Sequence, residues 1–399
     1  MKHSMDRGAA SALMFSSVFT RLFWGMAADA PVVHVAAWLC PLVGLILFLP
    51  IAWISHRRFR SGDQCPWQLL EKSCPKPILK AASILIAVCF LLDCASGMRT
   101  LAGTANLISM DKIPLFYLLL PLGIFAAISI LLGIGASGNC ARIWNRLLPL
   151  LTVFVLLVHL RSYNPAWLTP VFGSGESAIF KSGIYCASAI LLLSMQWLLT
   201  GTKGRGRPFL AALIAVLAAA LQLATLQMLS PALTGVDLSR SSRMQLVLSN
   251  GRTAMPLQIL LMLLCYGGFL QLISAEAAAC AGFLSRAMPK LPVWTLAAAV
   301  AVLTVIFSSL PYRIIDRYTG IFTCFFPLIA RIKITAATAM KLPIHDGLAV
   351  NLRARRVQFT NALRSIHSAG ESPQGESKYH ERNLRTSQLG ILTLLCSSE

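Results

Sequence analysis

Residues 78–102 read ILKAASILIAVCFLLDCASGMRTLA. An α-helix crosses a bilayer with about 20 predominantly apolar residues. This stretch supplies that length, and its one acid, Asp93, sits deep inside. Lipid offers no partner to a free backbone N–H or C=O, so a segment of this kind must be helical. Working outward, nine more apolar runs follow the same reading. They cover about 10–28, 32–54, 113–134, 147–160, 177–199, 209–229, 255–284, 293–310 and 318–332. The fifth is short, and residues 141–147 can extend it backwards.

Composition agrees. The chain has 399 residues, 56% of them apolar and only 13% charged, whereas soluble domains carry about 25% charged residues. The expected class is therefore an all-α integral membrane protein of about ten transmembrane helices. This excludes a soluble enzyme, a secreted disulfide scaffold and a disordered chain. The net charge of +20 comes from 35 Lys and Arg against 15 Asp and Glu. Aromatic residues are not interleaved with that charge as a nucleic-acid surface would need. The basic residues instead alternate between loops. Fifteen fall in one set of loops, including Arg57, Arg58, Arg60, Lys203 and Arg205, and nine in the opposite set. The positive-inside rule then puts both termini in the cytoplasm.

Residues 1–335 form the expected membrane domain, and 336–399 a basic, disordered cytoplasmic tail carrying Arg353, Arg355, Arg356 and Arg364. An alternative for 349–366 is a basic helix lying on the anionic inner leaflet. The N-terminus has a competing reading as a signal peptide, with Lys2 and Arg7 before an apolar run and Ala28-Asp29-Ala30 as a small-residue cleavage site. Arg21 and the immediate start of the next span speak against cleavage.

Metal, redox and enzyme signals are weak. The eleven cysteines and seven histidines are scattered, with no zinc spacing. Gly201-Thr202-Lys203-Gly204 lacks the length of a P-loop. No cofactor, metal or catalytic constellation is expected.

Two charges inside apolar runs stand out. Arg21 lies mid-span beside Trp24 and Gly25. A charge at the bilayer centre costs about 2.5–3.5 kcal/mol on insertion scales, so it faces protein or water. It is expected either to bind a ligand carboxylate or pair with an intramembrane acid, or else to snorkel from the end of a shifted span. Asp93 is its natural partner, in a purely structural pair or as part of a site. Arg99, six residues on and about 120° round the helix, is not placed to serve Asp93. Glu276 reads as a gate or coupling acid, or more simply as the structural partner of a loop arginine.

Between the fifth and sixth runs stands Asn164-Pro165-Ala166-Trp167-Leu168-Thr169-Pro170-Val171-Phe172-Gly173-Ser174-Gly175. This resembles the Asn-Leu-x-Pro-Val-x-Gly-x-Gly loop of the endospore germination permease family, the B subunits of spore germinant receptors. Ala36-Ala37-Trp38 at the second span, and Ala141-Arg142 followed by Leu148-Pro149-Leu150 at the fifth, agree in order and spacing. The resemblance covers roughly residues 10–335. Departures occur at Ser188-Ala189, where the family carries Phe-Glu, and at Gln196, where it carries Pro. Gln258 stands near its Asp, and Cys265-Tyr266 near its Trp.

That family is similar to the amino acid–polyamine–organocation transporters. The resemblance implies two inverted five-helix repeats, with the first and sixth helices broken near the membrane centre and a ligand site between them. On that basis the ligand-binding residues are Arg21, Trp24, Gly25, Asp93, Tyr185, Cys186 and Ser188. The last three fall at the implied break after Gly183. The competing reading of this stretch is an ordinary helix whose small residues allow close packing.

The implied role is that of a membrane subunit of a nutrient germinant receptor, sensing a small molecule such as an amino acid in the inner spore membrane. Its implied partners are an A-type membrane subunit and a C-type lipoprotein. Alternatives are an ion-coupled amino acid secondary transporter and a scaffold subunit that has lost its ligand.

Overall fold

The computed structural model describes residues 5–59, 67, 71, 75–108, 113–158, 165–169, 175–199, 207–229 and 255–310. The expected tenth span at 318–332 and the tail at 336–399 lie outside the described residues, as does half of the 164–175 motif.

Among the described residues, nine α-helices occupy the first nine apolar runs: α1 (Arg7–Val33), α2 (Leu39–Phe59), α3 (Lys76–Ile108), α4 (Leu115–Leu132), α5 (Ile134–Val158), α6 (Glu176–Ser194), α7 (Pro208–Leu229), α8 (Met255–Ala287) and α9 (Val293–Ser309). Short 3-10 turns cover His34–Trp38, Pro165–Leu168 and Met195–Leu199. No strand is assigned among these elements. Among the described residues, five segments are long and apolar enough to cross a membrane: Lys76–Gly103, Leu115–Leu132, Glu176–Leu199, Pro208–Thr225 and Tyr266–Ala287.

The fifth helix does extend backwards. It begins at Ile134, with a single residue between it and the end of α4, and the corner is made by that residue, Gly133, at φ 80°. An L side chain rarely adopts that backbone conformation, so glycine is what lets two helices meet with so short a link.

The implied breaks in the first and sixth helices are not where the resemblance put them. α1 runs unbroken through Arg21, Trp24 and Gly25. Residues 7–30 contain no proline, and a lone helical glycine costs only about 1 kcal/mol relative to alanine. α6 likewise runs through Tyr185, Cys186 and Ser188, and changes to 3-10 winding only at Met195. Gly183 serves close approach instead. A Cβ on Gly44 of α2 would lie 2.6 Å from the Cys186 Cβ and 3.1 Å from the Gly183 carbonyl oxygen. The two glycines let α2 and α6 pack backbone against backbone, as small residues do between membrane helices.

Contacts run between α1 and α6, α2 and α7, α3 and α8, and α4 and α9. The pairs α1–α7 and α2–α6 are both extensive, as are α3–α9 and α4–α8. α8 is central, with 78% of its apolar window buried, whereas α4 has 28% and lies at the periphery. Exposed side chains on α4 recur at Tyr117, Leu120, Ile124, Ile128 and Leu131, and on α7 at Leu210, Ile214, Leu217 and Leu221. Each series follows one helix face. Outward apolar stripes of this length are what a bilayer covers, and the chain is a multi-pass membrane protein.

Candidate functional site

Arg21 and Asp93 form an ion pair, with their side chains 5% and 1% exposed. Each lies one residue past the midpoint of its helix, in α1 and α3 respectively. The pair therefore sits about halfway along both helices, away from either end. Arg21 also donates from Nη2 to the Tyr185 hydroxyl of α6, 3.5 Å away. Three of the seven residues expected at the site are thus brought together by three different helices.

The others are placed differently. Cys186 is fully buried where α6 meets Gly44. Ser188 donates from Oγ to the Tyr185 carbonyl, 2.7 Å away within its own helix. Trp24 and Gly25 lie in α1, but their side-chain surroundings lie outside the described residues.

Among the described residues Glu276 is not held by a loop arginine, the simpler of its two sequence readings. Arg142 pairs with Asp6, and Arg286 donates to the Leu198 carbonyl at 3.1 Å. Glu276 is fully buried in α8, where Asp93 and Arg21 both act on it electrostatically. Glu276 is eleven residues before Ala287 at the end of α8, about 16 Å of helix, too deep for a loop partner.

The cluster is held in a braced frame. The Cys94 thiol donates to the Ile273 carbonyl at 3.8 Å, joining α3 to α8. Ser137 and Ser274 share a hydroxyl hydrogen bond of 2.7 Å, and Gln271 Nε2 donates to the Ser137 carbonyl at 2.8 Å, joining α5 to α8. Arg99 donates to the Ser308 carbonyl at 3.3 Å, and Ser308 Oγ donates to the Ala95 carbonyl at 3.1 Å. Arg99 therefore ties α3 to α9 and leaves Asp93 to Arg21. α1 is anchored by Asn145 Nδ2 donating to the Ala12 carbonyl at 2.7 Å.

Several buried polar atoms of α1, α3 and the 3-10 turn after α6 have no hydrogen-bond partner among the described residues: Ser17 Oγ, Thr20 Oγ1, Ser96 Oγ and both side-chain ends of Gln196. Ser17 stands one helical turn from Arg21, and Ser96 one turn from Asp93, on the same faces. Gln196 lies in the 3-10 turn that contacts α1 and α8. An unsatisfied buried polar group costs about 1–3 kcal/mol, so such a set calls for bound water or another polar partner.

No protein of curated function matches the chain in sequence. Among solved structures, a mutant manganese transporter of Eremococcus coleocola is similar at 11% identity, covering 83% of this chain and 76% of the transporter, with a TM-score of 0.47. The same transporter in complex with an aromatic bis-isothiourea substituted compound is similar at 14% identity, covering 84% and 75%, with a TM-score of 0.42. The spore germination protein family, a permease family, matches residues 22–224. That region runs from the residue after Arg21 to near the end of α7, takes in Asp93, Tyr185 and the 164–175 motif, and spans just over half of the sequence: the chain belongs to the spore germination protein family.

Proposed function

We propose that the chain is the membrane subunit of a nutrient germinant receptor and that a small zwitterion such as an amino acid binds at the Arg21–Asp93 pair. The observation that carries this reading is the pair itself, buried halfway along α1 and α3 in a member of a germination family. A guanidinium has five N–H donors and a carboxylate only acceptors. A ligand carboxylate could share Arg21 while its ammonium approaches Asp93, so the two ends of an amino acid are complementary to the two ends of the ion pair. Tyr185 and the unsatisfied hydroxyls of Ser17, Thr20 and Ser96 would complete the polar wall. Binding biases the protein only through differential affinity for two conformations, passed here to A-type and C-type receptor subunits.

The same reading extends to topology. Helices five apart in sequence touch one another from α1–α6 through α4–α9. That pattern supports a ten-span bundle of two five-helix repeats, with both termini and the basic 336–399 tail on the cytoplasmic side of the inner spore membrane. The alternative, an ion-coupled amino acid transporter, is favoured by one observation, the second buried acid Glu276 beside the pair.

Thermal shifts of the purified protein against amino acids, sugars and nucleosides test the site. A ligand at a hundredfold Kd stabilises by about 2.7 kcal/mol. A selective shift that Tyr185→Phe weakens supports the site. The absence of any selective shift, with the protein folded, favours the scaffold reading, and uptake into vesicles without partner subunits favours the transporter.

A further inference from the structure

Phe90 of α3 and Phe283 of α8 are both fully buried, and their rings stack with centroids 5.9 Å apart and planes 11° apart. One turn further along α3, Cys94 donates to the Ile273 carbonyl of α8. Residue numbers rise along α3 as they fall along α8, so the two helices run antiparallel. Asp93 stands three residues beyond Phe90, about 4.5 Å along the helix. The ring layer is therefore the next level from the Arg21–Asp93 pair on the way to the end of α8 at Ala287.

Trp67, from between α2 and α3, adds a third ring to that layer. It meets Phe283 edge to face, with centroids 6.0 Å apart at 63°, and is only 6% exposed. The Arg286 guanidinium lies 4.4 Å from the Trp67 ring centroid and donates to the Leu198 carbonyl at 3.1 Å. One guanidinium thus holds both Trp67 and the 3-10 turn after α6 against the same end of α8. Trp67 differs from the rest of the layer in how it is held. Its indole N–H donates to Glu71 Oε1 at 2.7 Å, four residues on along the chain. Its described contacts with α8 are the aromatic edge and the cation–π face. Both kinds of contact part without orphaning a hydrogen-bond donor or acceptor. Trp67 and Glu71 can leave together with their bond intact, and Arg286 keeps the Leu198 carbonyl. Parting Arg21 from Asp93 would instead strand two buried charges.

We propose that the Trp67 ring is a removable plug. Seated between Phe283 and Arg286, it closes the level of the Arg21–Asp93 pair from the C-terminal end of α8, and withdrawn it admits water to that level. The plug does not depend on what the pair binds: a protein with no response to any nutrient retains it.

Cys280 is the reporter that tests it. It is 1% exposed and stands four residues after Glu276 and three before Phe283, so the three share one face of α8. The purified protein in lipid nanodiscs is treated with a charged, water-soluble maleimide, and peptide mass spectrometry follows the labelling of each cysteine. In Trp67→Ala, Cys280 is expected to label about tenfold faster, as at a site exposed by local opening. Cys40 and Cys186, buried where α2 and α6 meet, are expected to keep the wild-type rate. Trp67→Phe, which keeps a ring against Phe283, is expected to stay close to wild type. If Trp67→Ala does not fold, Arg286→Met carries the test by removing the cation over the ring. An unchanged Cys280 rate in a folded variant overturns the proposal, as does a rise shared by Cys40 and Cys186, which reports a loosened bundle.

Discussion

The three-residue cluster makes an asymmetric prediction about the two halves of its ion pair. Removing one partner of a buried pair typically costs 3–5 kcal/mol, because a charge is left uncompensated out of water. Arg21→Met strips the cation paired with Asp93 and acting on Glu276, and at 5% exposure no solvent offsets the loss. Its cost is expected at the upper end, about 5 kcal/mol. Asp93→Asn is different, because Glu276 remains within reach of Arg21 and takes over as its counterion. The expected cost falls to that of a lost charged hydrogen bond, about 1.5–3 kcal/mol. The double variant removes both charges, so its cost is expected to be smaller than the sum of the singles by about 2 kcal/mol or more. Denaturant titration in micelles, followed by tryptophan fluorescence and size exclusion, measures all three. Equal costs for the two single variants, or a double variant that equals their sum, would refute the cluster as described.

Helix packing and the contact of Trp67 with Arg286 give further tests. Gly44→Leu is expected to destabilise by about 1–3 kcal/mol through overpacking, since even a Cβ there meets Cys186 at 2.6 Å. Gly103→Ala, with nothing within 4 Å of the new methyl, should stabilise α3 by about 0.5–1 kcal/mol. Thermal unfolding of both should therefore move in opposite directions. Arg286 lies 4.4 Å from the centroid of the Trp67 ring and donates to the Leu198 carbonyl. Arg286→Ala is expected to lose about 1–3 kcal/mol, combining a partly desolvated cation–π contact with a charged hydrogen bond. It should also make the segment around Trp67 more sensitive to protease. Unchanged cleavage there would contradict the role given to that contact.

Much of this fold could be read from the chain because the bilayer enforces it. Nine apolar runs became nine helices, since membrane-embedded backbone must satisfy itself. The Arg21–Asp93 pair could be anticipated for the same reason, as each charge deep in an apolar run needs a partner. Three features were not legible. The continuity of α1 and α6 was obscured because small residues are compatible with both a break and a tight helix contact. Only the three-dimensional approach of α2 shows that Gly183 serves contact. The electrostatic neighbours of Glu276 were hidden because they lie 183 and 255 residues away in sequence, which no local spacing reveals. The corner at Gly133 also shortened what reads as a basic loop, and carried Arg142 and Arg146 onto α5.

The central claim is that this chain senses a nutrient through the polar cluster halfway along its helices. The most direct measurement is the germination of spores in which the chain is deleted and then restored as wild type or as Tyr185→Phe, against a panel of single nutrients. The account predicts loss of response to a particular nutrient on deletion and full recovery with the wild type. With Tyr185→Phe it predicts recovery only at higher nutrient concentration, at equal protein abundance. Spores that lack the chain yet germinate normally in every nutrient, or a Tyr185→Phe response identical to the wild type, would contradict it.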